Sequence, residues 1–315
     1  MNDARDPARG PRTVEAGVDD AGQRIDNYLL RVLRGVPRTR VYRLLRKGEV
    51  RVNGGRVKAG YRLAAGDRVR IPPVRAERHA NGRLPETALA RLRDAVLHED
   101  DRVLVIDKPA GLAVHAGTGL GGGLVDGLRE LRPDIARLEL VHRLDRETSG
   151  CLLLAKGRAA LRALQDELRA GGFHKEYEAV LVGDWTGPEA SVDAPLLRNV
   201  LVSGERVVRV DAGGRPARSH FVRLDSGRGL TRVRVVLDTG RTHQIRVHAA
   251  HLGHPVAGDP KYGDRGRDRA VFGGRAPRMF LHAACLGFTS GHERVLVKSP
   301  VPAVFDEALH PERTP

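Results

Sequence analysis

At 315 residues, with 54 Lys and Arg against 39 Asp and Glu, the chain carries a formal net charge of +15, and its 41% hydrophobic content is enough for two domains with cores of their own. It has no apolar run of transmembrane length, and the N-terminal MNDARDPARGPRTVEAG lacks the apolar stretch of a secretory signal, so a cytoplasmic protein without a membrane partner is expected. Cys151 and Cys285 are the only cysteines, and Cys151 lies in an apolar run, which argues for buried thiols rather than a disulfide.

Residues 1–20 read as a disordered tail and residues 21–75 as a first domain. From Arg24 to Arg75 there are fifteen basic residues against three acidic ones, so +12 of the +15 sits in this segment. Such a concentration of Arg points to phosphate binding, because each neutralised phosphate releases condensed counterion. A membrane-surface helix is disfavoured because the segment has no Trp or Phe to bury. Ile25, Tyr28, Leu29, Val32 and Leu33 recur at helical spacing, and a first helix should end near Gly35. Pro37 suits the start of a second helix, with Val41, Leu44 and Leu45 as its apolar stripe and Gly48 as its stop. The opposite face carries Arg38, Arg40, Arg43, Arg46 and Lys47, the candidate RNA contacts. VRVNGG predicts a hairpin around Asn53 to Gly55, followed by a strand over Arg68 to Ile71.

Pro72 to Ala88 shows no periodicity and several breakers, so residues 76–93 read as a linker and residues 94–308 as a second domain. VLVIDKP and GLAVHA are strand-like. GTGLGG, Gly117 to Gly122, matches GxGxxG before a helix at Leu124 to Leu131, but no regular βαβ alternation follows, so a loop is the better reading than a dinucleotide site. Leu138 to Val141 and Cys151 to Ala155 predict buried strands, Ala160 to Leu168 a helix, and Lys175 to Val182, His220 to Leu224 and Thr231 to Leu237 further strands. The fold class is therefore α+β with a mixed or largely antiparallel sheet.

Between two of these strands lies HRLDRETSG, His142 to Gly150, which suspends the carboxylate of Asp145 in a polar loop held at both ends by core. Arg143 and Arg146 bracket it, and nearby cations keep a carboxylate ionised and attract a polyanion. From spacing alone the same pattern serves equally an acid bound to its own arginines at a turn. No second carboxylate is evidently paired with Asp145, as a glycosidase would need, and Glu147 is free to face away. His248, His251 and His254 are spaced so that only adjacent pairs share a helical face, so packing, capping or RNA contact is expected rather than a metal site.

HRLDRETSGCLLLAK resembles the active-site motif of the RluA family of pseudouridine synthases. FHKEYEAVLVG (Phe173 to Gly183), LDTGRTHQIRVHAAHLGHPVAGDPKYG (Leu237 to Gly263) and RMFLHAACLGF (Arg278 to Phe288) resemble its later motifs, in the family's order. RIDNYLLRVL through GDRVRI is similar to the S4 RNA-binding domain, and the N-terminal segments most resemble the RluC branch. The resemblance implies an S4-like module before a pseudouridine synthase domain, isomerising uridines of 23S ribosomal RNA or a large-subunit precursor, with no cofactor, no metal and no obligate protein partner, as a monomer. It implies Asp145 as the essential residue, either nucleophile at the sugar or base at C2′. Arg246 would pair with it, Tyr177 would pack on the uracil, and Arg143 would fill the gap left by the flipped base. Phe280 and Leu281 are candidate walls for the uracil or core residues. Transfer RNA or other ribosomal uridines remain alternative substrates, and a non-catalytic RNA-binding assembly factor is the alternative class.

Overall fold

The computed structural model describes residues 10–33, 36–74, 84–114, 122–202 and 205–313, and the chain divides into two compact units after Arg83. The expected helix end at Gly35, and all of GTGLGG but its last glycine, lie outside the described residues.

In the first unit, helices α1 (Ile25–Val32) and α2 (Arg38–Lys47) pack on a four-stranded sheet of β1 (Arg12–Glu15), β2 (Arg51–Val52), β3 (Gly55–Arg56) and β4 (Arg68–Ile71), ordered β1-β4-β2-β3. Ile25, Tyr28 and Leu29 from α1 and Val41, Leu44 and Leu45 from α2 meet Val52, Val69 and Ile71 in one core. Gly48 closes α2 in the left-handed region at φ 70°, where a Cβ would also strike the Arg56 side chain. Because the apolar stripe of α2 faces the core, Arg38, Arg40, Arg43, Arg46 and Lys47 are all exposed. The tail reading fails over residues 10–20. Arg12 to Glu15 pair with Ile71 to Arg68, and Ala16 is buried, because β4 offers an open edge and the alternation of RTVE fits it.

The second unit is built on a ten-stranded mixed sheet. Along the chain come α3 (Glu86–Arg93), β5 (Val96–Glu99), β6 (Val103–Lys108), α4 (Leu124–Leu131), β7 (Leu138–Leu140), β8 (Ser149–Lys156), α5 (Arg158–Arg169), β9 (His174–Val182), β10 (Glu189–Asp193), β11 (Leu196–Val202), β12 (Glu205–Val210), β13 (Arg218–Gly227), β14 (Leu230–Leu237), α6 (Gln244–His251), α7 (Arg265–Phe272), β15 (Leu281–Ser290), β16 (Glu293–Lys298) and α8 (Val304–Leu309). The main order is β10-β13-β14-β9-β15-β8-β6-β5, with β16 on β15, β7 on β8, and a separate β11-β12 ribbon. Among the described residues every strand pair is antiparallel except β15 and β8, which run parallel for His282–Ser149 and Ala283–Gly150. Gly150 makes that junction possible: its φ is 105° and a Cβ would sit 2.3 Å from the Ala283 carbonyl oxygen. Among the described residues no helix is long and apolar enough to cross a membrane.

Two sequence readings are corrected in this unit. Residues 86–93, read as linker, form α3, whose Leu89 and Leu92 join Leu84 in the core against α4. Pro85 stands at the N-terminus of the helix, where a proline starts a helix rather than breaking one. Residues 111–114 of GLAVHA are not a strand. The carbonyls of Ala113 and Val114 accept the amides of Leu124 and Val125 in the first turn of α4, so the segment caps a helix instead of joining a sheet. Cys151 and Cys285 are free and buried, as expected.

Candidate active site

The loop between β7 and β8 carries Asp145, and its backbone is fixed on several sides. Thr148 N–H closes a turn onto the Asp145 carbonyl at 3.2 Å, and the His142 ring accepts the Leu153 amide through Nε2 at 3.1 Å. Burial pushes the His142 pKa down to about 4, which keeps the ring neutral and able to accept. Beneath the loop, the fully buried Lys108 donates to the carbonyls of Pro109 (2.8 Å), Leu112 (2.8 Å) and Arg146 (3.0 Å). Burial brings its pKa to about 7, while three carbonyl acceptors match the three N–H donors of the ammonium form. At the far end Ser149 Oγ meets His282 Nδ1 at 2.8 Å and accepts from Arg278 at 2.7 Å.

Asp145 is not held by its sequence neighbours. Arg146 turns away, donating through Nε to the Gly111 carbonyl at 2.9 Å and lying 3.6 Å from Glu147. The cation that takes Asp145 is Arg246 of α6, 101 positions later, whose Nη1 donates to Oδ2 at 2.9 Å. Arg246 is itself gripped from behind. Its Nε and Nη2 form a two-pronged pair with Asp259, both at 2.7 Å, and its guanidinium lies over the Tyr262 ring, 5.0 Å from the centroid. Asp259 is wholly buried and Oδ1 also accepts the amides of Lys261 (2.8 Å) and Tyr262 (3.1 Å). Burial alone would raise the Asp259 pKa, but Arg246 and these amides outweigh it and hold the carboxyl below its ordinary range. On Arg246 burial works against the charge, and the Asp259 and Asp145 carboxylates more than compensate. The array is therefore Asp145, Arg246, Asp259 in a line, with the inner carboxylate saturated and the outer one open to a cavity.

That cavity, about 390 Å³ including its mouth, is lined by Arg143, Leu144, Asp145, Tyr177, His243 and Arg246 with Leu237 and Leu281 among others. Tyr177 comes from the middle of β9, opposite Val235 of β14, and its ring touches both of the large cores that meet at β9. Burial and the Asp145 charge push its phenol up, so at neutral pH it offers an apolar ring and an O–H donor. Arg143 is exposed at the mouth. Leu281 lines the cavity, whereas Phe280 is fully buried, stacked 5.6 Å from Phe272 and edge-on to Phe305 at 5.3 Å.

The four residues expected to converge, Arg143, Asp145, Tyr177 and Arg246, do so. Three more at the site were not singled out: His243, Asp259 and Tyr262. All three fall within Leu237 to Gly263, and a carboxylate placed among turn residues in AGDPKYG was the available signal for Asp259. Of the histidines considered as ligands, His248 is buried between Ser219 Oγ and the Ala194 carbonyl, both at 3.0 Å, His254 contacts the Val182 carbonyl at 3.2 Å, and His251 is exposed. Among the described residues no group of three His, Cys, Asp or Glu could hold a metal ion.

Residues 102–251 match the RNA pseudouridylate synthase family and residues 23–69 the S4 domain. The chain is 53% identical over 302 residues to the ribosomal large subunit pseudouridine synthase C of Escherichia coli (strain K12), covering 95% of this chain and 94% of that one. It is 50% identical over 272 residues to the protein of that name from Pasteurella multocida (strain Pm70), covering 86% and 83%. Among solved structures, human RNA pseudouridylate synthase domain containing 1 superposes with a TM-score of 0.60 at 27% identity, over 68% of this chain and 87% of that one. Human RNA pseudouridylate synthase domain containing 4 gives 0.59 at 27% identity, over 71% and 95%. The chain therefore belongs to the RluA family of pseudouridine synthases, RNA-modifying isomerases, and joins the family's catalytic fold to an N-terminal S4 domain.

Proposed function

We propose that this enzyme converts uridines of 23S ribosomal RNA to pseudouridine, with Asp145 as the catalytic carboxylate. The substrate reading is supported by the names of relatives that match this chain nearly end to end. The observation that carries the assignment of Asp145 is its pairing with the buried Arg246–Asp259 unit. That pairing leaves one carboxylate oxygen in the cavity and fixes the other, so the acid is aimed before substrate arrives. The reaction breaks the C1′–N1 bond, turns the uracil and joins C1′ to C5. Asp145 serves it as nucleophile at C1′ or as base at C2′. No net redox change occurs, so the balance of the reaction calls for no external reductant or group donor.

A uridine stacked in a helix cannot reach such a cavity and must be flipped out, at a cost of a few kcal/mol. Arg143, exposed at the mouth, is proposed to stack its planar guanidinium in the vacated position, and Tyr177 to pack on the extruded uracil. The domain plan is proposed as residues 21–75 for RNA binding and 94–308 for catalysis, extended at the front of each by β1 and α3. The enzyme is further proposed to act as a cytoplasmic monomer. Pseudouridine mapping across total RNA, with and without the gene, tests the substrate: sites in 23S RNA should vanish in the deletion and return with the wild-type gene. Loss confined to transfer RNA would overturn that part of the proposal.

The exposed arginines of α2 are proposed to contact phosphate. Changing Arg40, Arg43 and Arg46 together to Glu should weaken RNA binding and flatten the plot of log affinity against log salt by about 0.7 to 0.9 for each phosphate no longer neutralised. An unchanged slope would move the phosphate-binding surface elsewhere.

A further inference from the structure

Among the described residues of the site, His243 is the group whose role is still open. It stands at the N-terminus of α6 with φ 55°, in the left-handed region that a residue with a Cβ adopts only when its surroundings impose it. The imidazole makes no capping bond to the helix that follows. Both ring nitrogens point instead into the site. Nδ1 is 2.7 Å from the Tyr262 hydroxyl, and Nε2 is 3.7 Å from Asp145 Oδ1, the carboxylate oxygen that Arg246 does not take.

The tautomer of His243 is assigned from its hydrogen-bond partners. The Tyr262 oxygen accepts the Val208 amide at 3.0 Å, and its own proton is assigned to His243 Nδ1, 2.7 Å away. Nδ1 is then the acceptor, and in the neutral ring the hydrogen resides on Nε2, facing Asp145. Burial, opposed by the Asp145 charge, lowers the His243 pKa and keeps the ring neutral. A donor N–H and an acceptor oxygen 3.7 Å apart are too distant to satisfy one another. One hydroxyl oxygen at ordinary hydrogen-bond distance from each fills the gap: it accepts from Nε2–H and donates to Oδ1.

An internal nucleotide of RNA carries one such group. Its 3′ and 5′ oxygens are esterified, which leaves the 2′-hydroxyl as the sole sugar donor-acceptor. It is also the substituent next to C1′ and on C2′, the carbons at which the catalytic carboxylate must act. We propose that His243 Nε2–H and Asp145 Oδ1 together bind the ribose 2′-hydroxyl of the target uridine, so that His243 is a specificity-determining residue selecting ribose over deoxyribose and holding the sugar against Asp145. The inference rests on the reading of Asp145 as the catalytic carboxylate. Tyr262 acts one step behind, as the positioning residue that sets the imidazole tautomer.

The test measures equilibrium affinities of wild type, His243→Phe and His243→Gln for one 23S RNA fragment whose target position holds uridine or 2′-deoxyuridine, together with tritium release from C5 of the uridine RNA. Wild type should bind the uridine RNA about tenfold more tightly, the worth of a hydrogen bond to a charged site. His243→Phe keeps the ring size but has no N–H. It should lose about tenfold on the uridine RNA, bind the deoxyuridine RNA as wild type does, and release tritium more slowly. Unchanged affinity for the deoxyuridine RNA also shows that the variant is folded. His243→Gln, which returns an amide donor, should recover part of the ribose preference. Equal losses on the two RNAs, or a ribose preference that survives in His243→Phe, would overturn this inference alone. A wild type that releases no tritium would overturn the catalytic reading with it.

Discussion

Asp145→Asn is expected to lower single-turnover isomerisation on the order of 10³-fold while leaving RNA affinity within several-fold and thermal stability nearly unchanged. The amide keeps the shape of the carboxyl and can still accept from Arg246. Arg246 in turn retains its two-pronged bond to Asp259, so no buried charge is left without a partner. What disappears is the negative charge and the basicity or nucleophilicity at Oδ1. Tritium release, a filter-binding isotherm and a melting curve on the same preparation separate the three quantities. Turnover within tenfold of wild type would remove Asp145 from its role.

Arg246→Met is expected to fail differently, in activity and in stability together. Methionine fills much of the space of the arginine stem but leaves the wholly buried Asp259 carboxylate with only its backbone donors. Breaking a buried pair on one side costs about 3–5 kcal/mol. The pH dependence should invert as well. In the wild type the Asp259 pKa is held below its ordinary value, so the pair contributes stability above the ordinary carboxylate range and loses it as pH falls through the folded value. In the variant burial acts without the arginine and raises that pKa. The folded state then binds the extra proton, and stability falls as pH rises past the ordinary carboxylate value. Denaturant unfolding of both proteins between about pH 4 and 7 checks the sign. Parallel pH profiles would show that Asp259 is not the group left stranded.

The Asp145 loop was legible because both of its flanks are short apolar runs and its interior is polar, a contrast that spacing displays directly. Arg246 and Tyr177 came from the family motifs rather than from spacing, since nothing local says that Asp145 and a residue 101 positions later meet. Asp259 was missed for a related reason: a carboxylate among Gly and Pro reads as turn chemistry until its buried partner is known. The helix over Glu86–Arg93 was hidden by its brevity. Leu89 and Leu92 mark only one turn, and the preceding proline was read as a breaker. β1 was lost because an edge strand of four residues owes its existence to the open side of β4, 53 or more positions downstream. Fold class survived these omissions because it depends on the long strands, β8, β9, β13 and β14, whose patterns are strong.

The place of β15 in the sheet has a consequence for biogenesis. It is the penultimate strand in sequence, yet it lies between β8 and β9 and joins the half of the sheet that bears the Asp145 loop to the half that bears Tyr177 and leads into α6. A nascent chain therefore holds the carboxylate and its arginine on two unconnected β layers until Leu281 to Ser290 has been translated and threaded between them. A chain stalled or cut short before that strand therefore holds Asp145, Tyr177 and Arg246 but not the arrangement that brings them together.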